Sequence, residues 1–236
     1  MPIKRPPLIN NEIYHIITRG VGDIAIFRNK DDYYRAIFSL YEFNTSVTPI
    51  TIRERRKVRI QSKKANREQF SDGRDLIVEI LAFYFMPNHI HLLLRQIKKD
   101  GISQFMRKLG AGYATFFNNK YDRKGHLFQG RFRAVYIKTN NQLRNAFVYV
   151  HTNGISLLEP KWKENGIKNP EKVIKFLEGY KWSSYSDYIG KNNFPSLTKR
   201  EFFLKIMGGA KGCGKIVEDW IKYKGEIENL GDVVLE

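Results

Sequence analysis

The sequence has almost no cysteine: Cys213 is the only one in 236 residues. A chain with one cysteine cannot form an internal disulfide, and it cannot build a zinc site from paired cysteines. It also lacks an apolar run long enough to cross a membrane, and residues 1–11 are rich in proline rather than in apolar side chains. We therefore expect a cytoplasmic protein with no membrane partner.

Acidic residues are scarce relative to basic ones. The chain has 24 Asp and Glu against 41 Lys and Arg, which gives a formal net charge of +17. This charge exceeds what solubility requires and predicts a polyanionic partner, most naturally nucleic acid. A generically basic, solvated surface is the alternative. The 42% of apolar residues are sufficient for a packed core.

Residue patterns predict seven elements in the order strand, helix, strand, strand, helix, strand, helix. The strands are predicted at 12–18, 76–85, 90–94 and 131–136. The helices are predicted at 31–43 with Asn29 as cap, from 102 to about 119, and between Asn140 as cap and Gly154 as end. This order fits an α+β, ferredoxin-like (split βαβ) antiparallel sheet with helices packed on it. In that fold the first and third strands are central neighbours. A mixed α+β sheet of different strand order is the alternative.

Two segments fall outside this pattern. Residues 45–74 are crowded with Arg and Lys and have few apolar residues, which predicts a basic insertion or flexible loop. This segment is either a phosphate-binding arm or a solvated, charged surface loop. Residues 159–236 contain short helical pieces that predict a small helical C-terminal extension. We thus predict a main domain at 1–158, with the insertion at about 45–74, and the extension at 159–236.

Two histidines lie two residues apart at the start of the third predicted strand. Because strand side chains alternate between faces, His89 and His91 point the same way and can bind one metal ion. The intervening Ile90, together with Leu92 and Leu94, then points into the core. Two histidines can also simply occupy a polar sheet face, so this fragment alone leaves both interpretations open.

The last predicted helix carries Tyr149 and Asn153, which stack on one face because they are four residues apart. A tyrosine hydroxyl is a competent nucleophile only when its proton is removed, since its ordinary pKa is about 10. The amide oxygen of Asn153 can complete the ligand shell of a metal ion. A tyrosine on a helix flank is nevertheless more often a packing residue.

Four segments together resemble a known family. The segment FMPNHIHLL at 85–93 resembles the HUH motif of the one-tyrosine, single-strand DNA transposases. Three more resemble, in order and spacing, the REP-associated tyrosine transposase branch of that superfamily: GHLFQGRF at 125–132, FVYVHTN at 147–153 and WSSY at 182–185. The resemblance covers roughly residues 14–188.

The resemblance implies that His89 and His91 bind a divalent ion, Mg²⁺ or Mn²⁺, and that Asn153 is the third protein ligand. It implies that Tyr149 is the nucleophile of an endonuclease and strand transferase acting on single-stranded or hairpin DNA. The intermediate would be a 5′-phosphotyrosine with a free 3′-hydroxyl. The sequence departs from the family pattern at Gly154, where a proline commonly follows the asparagine, and in the basic insertion.

Other residues are candidates for contacts around this site. His15, on the first strand, is a candidate supporting partner of the metal-binding histidines, whereas His151 should face away from Tyr149. The basic, aromatic loop before the fourth strand is suited to gripping phosphates and stacking unpaired bases, although an ordinary surface loop explains it almost as well. The candidates for DNA binding in this loop and in the insertion are Arg123, Lys124, His126, Gln129, Arg131, Arg133, Arg55, Arg56 and Lys57.

Two other functions stay open at this point. One is a basic ferredoxin-like protein that binds DNA or RNA without catalysis. The other is a metal-dependent hydrolase in which water attacks and Tyr149 is structural. For the transposase we expect a monomer or a homodimer. Because histidines must be neutral to bind a metal, the sequence predicts that activity falls as the pH drops through about 6.5.

Overall fold

The computed structural model describes residues 5–64 and 74–223. The strands are β1 (Ile13–Arg19), β2 (Val78–Met86), β3 (His89–Gln96) and β4 (Arg133–Ile137). The helices are α1 (Lys30–Glu42), α2 (Ile52–Lys64), α3 (Gly101–Lys120), α4 (Asn140–Thr152), α5 (Ile155–Leu158), α6 (Trp162–Asn165), α7 (Pro170–Gly179), α8 (Tyr185–Tyr188), α9 (Arg200–Met207) and α10 (Gly209–Lys222). Residues 65–73 of the predicted insertion and 224–236 of the predicted extension lie outside the described residues.

The four strands form one antiparallel sheet in the order β2-β3-β1-β4. The central neighbours are β1 and β3, so the predicted α+β, ferredoxin-like sheet is confirmed. Its two faces are both buried, because alternate side chains enter separate cores. One core joins Ile16 and Leu92 to α1 and α3. The other joins Leu93 to Phe147 of α4 and to the C-terminal helices.

The first helix begins where the sequence predicts a cap. The side chain of Asn29 accepts hydrogen bonds from the backbone N–H groups of Asp31 and Asp32, and the Asp32 carboxylate accepts one from the N–H of Asn29. The buried Asp32 carboxylate also accepts from Lys120 and Tyr121, both at 2.7 Å. This one carboxylate therefore fixes the start of α1 against the end of α3.

The prediction of a flexible loop in the basic insertion is wrong for residues 52–64, which form α2. Glycine and proline are absent there, and Arg, Lys, Glu and Gln favour helices. The hydroxyl of Thr51 accepts from the N–H of Glu54, and the Glu54 carboxylate accepts from the N–H of Thr51 at 2.7 Å. Arg55 then binds Glu42 of α1. Sequence periodicity missed this helix because it has few apolar residues.

The fourth helix begins one residue earlier than predicted. Its cap is Thr139, whose hydroxyl accepts from the N–H of Gln142 at 3.1 Å, and not Asn140. Its end also differs from the prediction, because Gly154 has a right-handed φ of −66° and leads directly into α5.

Glycine is required at residue 154 by a neighbouring side chain rather than by backbone conformation. A Cβ atom there would collide with the hydroxyl of Tyr84. The φ of −66° is one that proline adopts, so the backbone itself would accept the proline typical of the family. The departure from the family pattern is therefore explained by the bulk of Tyr84.

The helices after α4 share its core. Phe147 of α4 contacts Tyr188 and Phe203, with ring centroids 5.0 and 4.7 Å away, and Trp162 packs against Trp220. Among the described residues, no helix combines the length and the apolar composition needed to cross a lipid bilayer.

We predict that Gly154→Ala lowers the free energy of unfolding by about 1–3 kcal/mol, because the new methyl group enters space held by Tyr84. Urea denaturation followed by circular dichroism measures this. In the control Gly179→Ala, the added Cβ meets no described atom within 4 Å. That variant should be unchanged or more stable by up to about 1 kcal/mol. Equal losses in both variants would contradict the steric explanation.

Candidate active site

Three elements bring the predicted metal ligands and the predicted nucleophile together within one chain. In the sheet, His91 lies opposite Ile17 and His89 lies opposite Arg19. The two histidines share one face of β3, and the contact of His91 with Tyr149 shows that this face lies against α4. The ring of Tyr149, on α4, lies 5.7 Å from His91 and 5.3 Å from His15 between centroids. The two histidine rings of β3 are 4.8 Å apart.

Each histidine of β3 has one ring nitrogen held and the other available. Nδ1 of His89 is 2.6 Å from the amide oxygen of Asn88, and Nδ1 of His91 is 3.0 Å from Nε2 of His15. Both Nε2 atoms are buried and have no hydrogen-bond partner among the described residues. Metal-binding histidines commonly donate their second nitrogen to a nearby acceptor, which fixes the ring and its tautomer. The two side chains therefore fit a divalent metal ion at Nε2.

Asn88 was missed as a supporting residue, although it immediately precedes His89 in the motif. Across residues 5–64 and 74–223, no cluster of three or more His, Cys, Asp or Glu side chains is arranged to hold a metal.

Burial keeps both histidines neutral. It lowers the pKa of His89 to about 4, and the charge of Arg19 acts in the same direction. It lowers the pKa of His91 well below its ordinary value, with further contributions from His15 and His89. The two histidines are thus in the neutral form that a metal ion requires over a wider pH range than the sequence predicts.

Tyr149 lies at the bottom of the site with 7% of its surface exposed. Its hydroxyl is buried and accepts or donates no hydrogen bond in the described part of the chain. Burial raises its pKa to about 12, while the positive charge of Arg19 and the nearby side chain of Asn153 work in the opposite direction. One turn later, the amide nitrogen of Asn153 donates to the Tyr149 carbonyl oxygen at 2.7 Å, so the amide oxygen keeps its acceptor capacity.

A pocket of about 410 Å³ opens above Tyr149 and Asn153. Its wall carries the positive side chains of Arg19, Arg133 and Lys163, which suits a phosphate group. One carboxylate, Asp23, also lines it and pairs with Arg19 at 3.1 Å.

The sequence analysis missed several residues of this pocket. Arg19 continues the alternation of His15 and Ile17 along β1, so its position was open to prediction. Trp162 and Lys163 come from α6, where no sequence pattern marks them.

The predicted DNA-binding residues of the loop separate into three groups. Gln129 and Arg133 line the pocket above Tyr149. His126 and Arg131 line a second cavity, between the loop and α3. Arg123 instead donates to the His126 carbonyl oxygen at 2.8 Å and to Asn118 at 3.2 Å, so it shapes the loop, while Lys124 is exposed.

The other candidates lie away from the pocket. Arg56 and Lys57 are exposed on α2, whereas the guanidinium of Arg55 is bound to Glu42. His151 is fully buried on the far side of α4, with its Nε2 atom 2.8 Å from the hydroxyl of Ser184.

We predict that His15→Phe weakens Mn²⁺ binding by about 10- to 100-fold, because it removes the acceptor that holds His91 while keeping a flat ring against Tyr149. Isothermal titration calorimetry on the purified protein measures the affinity. His15→Gln, which restores an acceptor, should recover part of the loss. The matched control is His151→Phe, which replaces a buried histidine outside the site and should leave Mn²⁺ affinity unchanged. Unaltered affinity in His15→Phe would make His15 a packing residue only.

We predict that Mn²⁺ affinity changes less than about threefold between pH 7 and pH 5.5. Because the histidine pKa is lowered, the neutral, metal-binding form persists until the pH approaches the pKa in the folded protein, which is about 4 for His89. A group with the ordinary pKa of about 6.5 would instead lose roughly tenfold over this interval. Titration calorimetry at the two pH values distinguishes these outcomes.

Comparison with known proteins gives one family match. The model of the family described as IS200-like transposases matches residues 49–153. A structure of a REP-associated tyrosine transposase bound to a REP hairpin is 16% identical, covering 82% of this chain and 88% of that one, with a TM-score of 0.42. The tRNA(His) guanylyltransferase of Saccharomyces cerevisiae is 11% identical, covering 75% of each chain, with a TM-score of 0.35.

Neither structural similarity is strong enough to support a conclusion about function. Among curated protein sequences, none matches the chain. The family match covers α2 to α4 and includes all the residues predicted to carry the chemistry. The segment 49–153, which contains His89, His91, Tyr149 and Asn153, therefore matches the family of IS200-like transposases.

Proposed function

We propose that the protein is a transposase-type endonuclease and strand transferase for single-stranded or hairpin DNA, with Tyr149 as its nucleophile. The observation that carries this proposal is the contact of the Tyr149 ring with His91 and His15. Tyr149 lies beneath a pocket that carries three positive side chains. The family match of residues 49–153 supports the same function.

In the proposed reaction, the Tyr149 oxygen forms a bond to the scissile phosphorus as the bond from phosphorus to the 3′-oxygen breaks. The products are a 5′-phosphotyrosine and a free 3′-hydroxyl, so the phenolic proton is lost and the leaving oxygen gains one. Because the Tyr149 pKa is raised to about 12, the hydroxyl stays protonated at neutral pH until it attacks. Strand transfer is the reverse step with a different 3′-hydroxyl.

A divalent ion, Mg²⁺ or Mn²⁺, would be held by the Nε2 atoms of His89 and His91 and by the amide oxygen of Asn153. When bound, it polarises the phosphate and stabilises the leaving oxygen, an effect of several kcal/mol on the transition state. The chain's own contribution is to orient the two rings through Asn88 and His15 and to exclude water from the phenol.

The partner would be a single strand or a hairpin, as the sequence resemblance to the REP-associated branch implies. Tyr149 contacts His91 of its own chain, so one protomer contains every residue that the proposal requires. We infer that a monomer is sufficient for cleavage, and that a homodimer is not needed to complete the site.

We predict that Tyr149→Phe abolishes the covalent adduct and leaves DNA affinity within about twofold of wild type, because only one buried oxygen is removed. The measurement is a denaturing gel of protein mixed with 5′- and 3′-labelled single strands. Tyr223→Phe, a surface substitution far along the chain, is the matched control and should retain the adduct. Excess chelator should abolish the adduct in wild type.

The other outcomes identify the alternative functions. Cleavage without an adduct would favour the hydrolase in which water attacks. Binding without cleavage would favour a protein that only binds nucleic acid. An adduct that survives in Tyr149→Phe would move the nucleophile to another tyrosine.

We propose that α2 adds phosphate contacts through its exposed charges. Each contact to a single strand changes the slope of log affinity against log salt by about −0.7. Arg56→Gln combined with Lys57→Gln should therefore flatten the slope by about 1.4 and leave the melting temperature unchanged. The control is Lys215→Gln combined with Lys222→Gln on α10, which removes the same charge from another helix. Equal slopes in wild type and the α2 variant would mean that α2 is a solvated surface.

A further inference from the structure

A second cavity, of about 500 Å³, lies between α3 and the loop of residues 125–132. Its walls are mainly apolar: Met106, Gly110 and Ala114 come from α3, and Leu127 and Phe128 come from the loop. Thr18 of β1 completes it on the sheet side. The volume is in the range of pockets that bind small organic groups, and the aromatic ring of Phe128 offers a surface for stacking.

The rim of this cavity is positive. Arg5, Arg107 and Arg131 line it, and within the described ranges no carboxylate does. The guanidinium of Arg5 lies 3.7 Å from the centroid of the Phe132 ring and donates to the Phe132 carbonyl oxygen at 2.7 Å, so its charge is fixed at the edge. An apolar interior with a positive edge is complementary to a flat base that carries a phosphate.

The same loop joins this cavity to the pocket above Tyr149. The N–H of Gln129 donates to the Arg19 carbonyl oxygen at 2.8 Å, and Phe128 forms a β-bridge with Gly20. Of these two loop residues, Gln129 lines the pocket above Tyr149 and Phe128 lines the cavity. In β1, Thr18 likewise lines the cavity and Arg19 lines the pocket, because successive side chains of a strand point to opposite faces. The two sites are therefore separated by a single strip of backbone.

We infer that this cavity binds one unpaired base of the DNA strand whose phosphate lies above Tyr149. The base stacks on Phe128 between α3 and the loop, and its phosphates contact Arg107 and Arg131 at the rim. This inference rests on the proposed function for the identity of the strand. It assigns a base-binding role to α3, a helix that contributes nothing to the pocket above Tyr149.

Gly110 allows the cavity to be filled without disturbing the helix. A Cβ added there meets only a Phe128 ring carbon, at 3.9 Å, which is an ordinary contact. Gly110→Leu should therefore project into the cavity. Gly110→Ala leaves most of the space open and is the matched control, since both substitutions raise helix propensity.

The experiment compares two fluorescent probes in the presence of chelator: a thymine oligonucleotide of about 16 nucleotides, and an abasic phosphodiester chain of equal length and charge. Wild type and Gly110→Ala should bind the thymine probe at least about tenfold more tightly than the abasic chain. In Gly110→Leu this ratio should fall to about threefold or less, with abasic-chain affinity unchanged and with urea stability equal to that of Gly110→Ala. An unchanged ratio in Gly110→Leu would overturn the inference.

A second measurement locates the base. A 5-iodouracil placed at successive positions of the strand should crosslink to peptides containing Met106 or Phe128 in wild type, and these crosslinks should disappear in Gly110→Leu. Crosslinks to other peptides only would also overturn the inference. Both measurements are independent of cleavage. If wild type forms no adduct, the proposed function is refuted and the base-binding role of the cavity is not. If wild type forms the adduct but the affinity ratio is unchanged in Gly110→Leu, the base-binding role is refuted and the proposed function is not.

Discussion

The antiparallel pairing of β1 with β3, from Ile13 opposite Arg95 to Arg19 opposite His89, is the constraint on which the rest of the molecule depends. Side chains alternate between faces with a period of two, so a slip of one residue would turn His89 and His91 into the apolar core beneath α1 and α3. The observed register instead places Leu92 in that core and His91 under α4. It also brings His15 to the ring nitrogen of His91.

The opposite wall of the site depends on the C-terminal helices. Tyr149 is carried by α4, and the other sides of this helix are held by Tyr188 and Phe203 and by the contact of His151 with Ser184. These contacts fix the rotation of α4 about its axis. The residues that follow α4 therefore position the tyrosine although none of them is expected to react.

Without a ligand, the site destabilises the folded protein. Three buried polar atoms, Nε2 of His89, Nε2 of His91 and the hydroxyl of Tyr149, have no hydrogen-bond partner in the described residues. Each such atom destabilises a fold by about 1–3 kcal/mol. Unpartnered groups of this kind are kept where a ligand satisfies them, and a metal or phosphate that bound only the folded state would offset the cost. The three atoms belong to rings that contact one another in one cluster, which favours one ligand assembly for all of them.

The sequence alone determined the order of the four strands and of α1, α3 and α4, the cap at Asn29, and the pairing of His89 with His91 and of Tyr149 with Asn153 on common faces. These features follow from periodicities and hydrogen bonds that span two to four residues. The sequence could not show that Trp162 and Lys163 complete the pocket, that Tyr84 requires glycine at residue 154, or that Arg55 is bound to Glu42. Each of these contacts joins residues that are far apart along the chain or on separate elements. Only the packing of the sheet against its two layers of helices decides which of them meet.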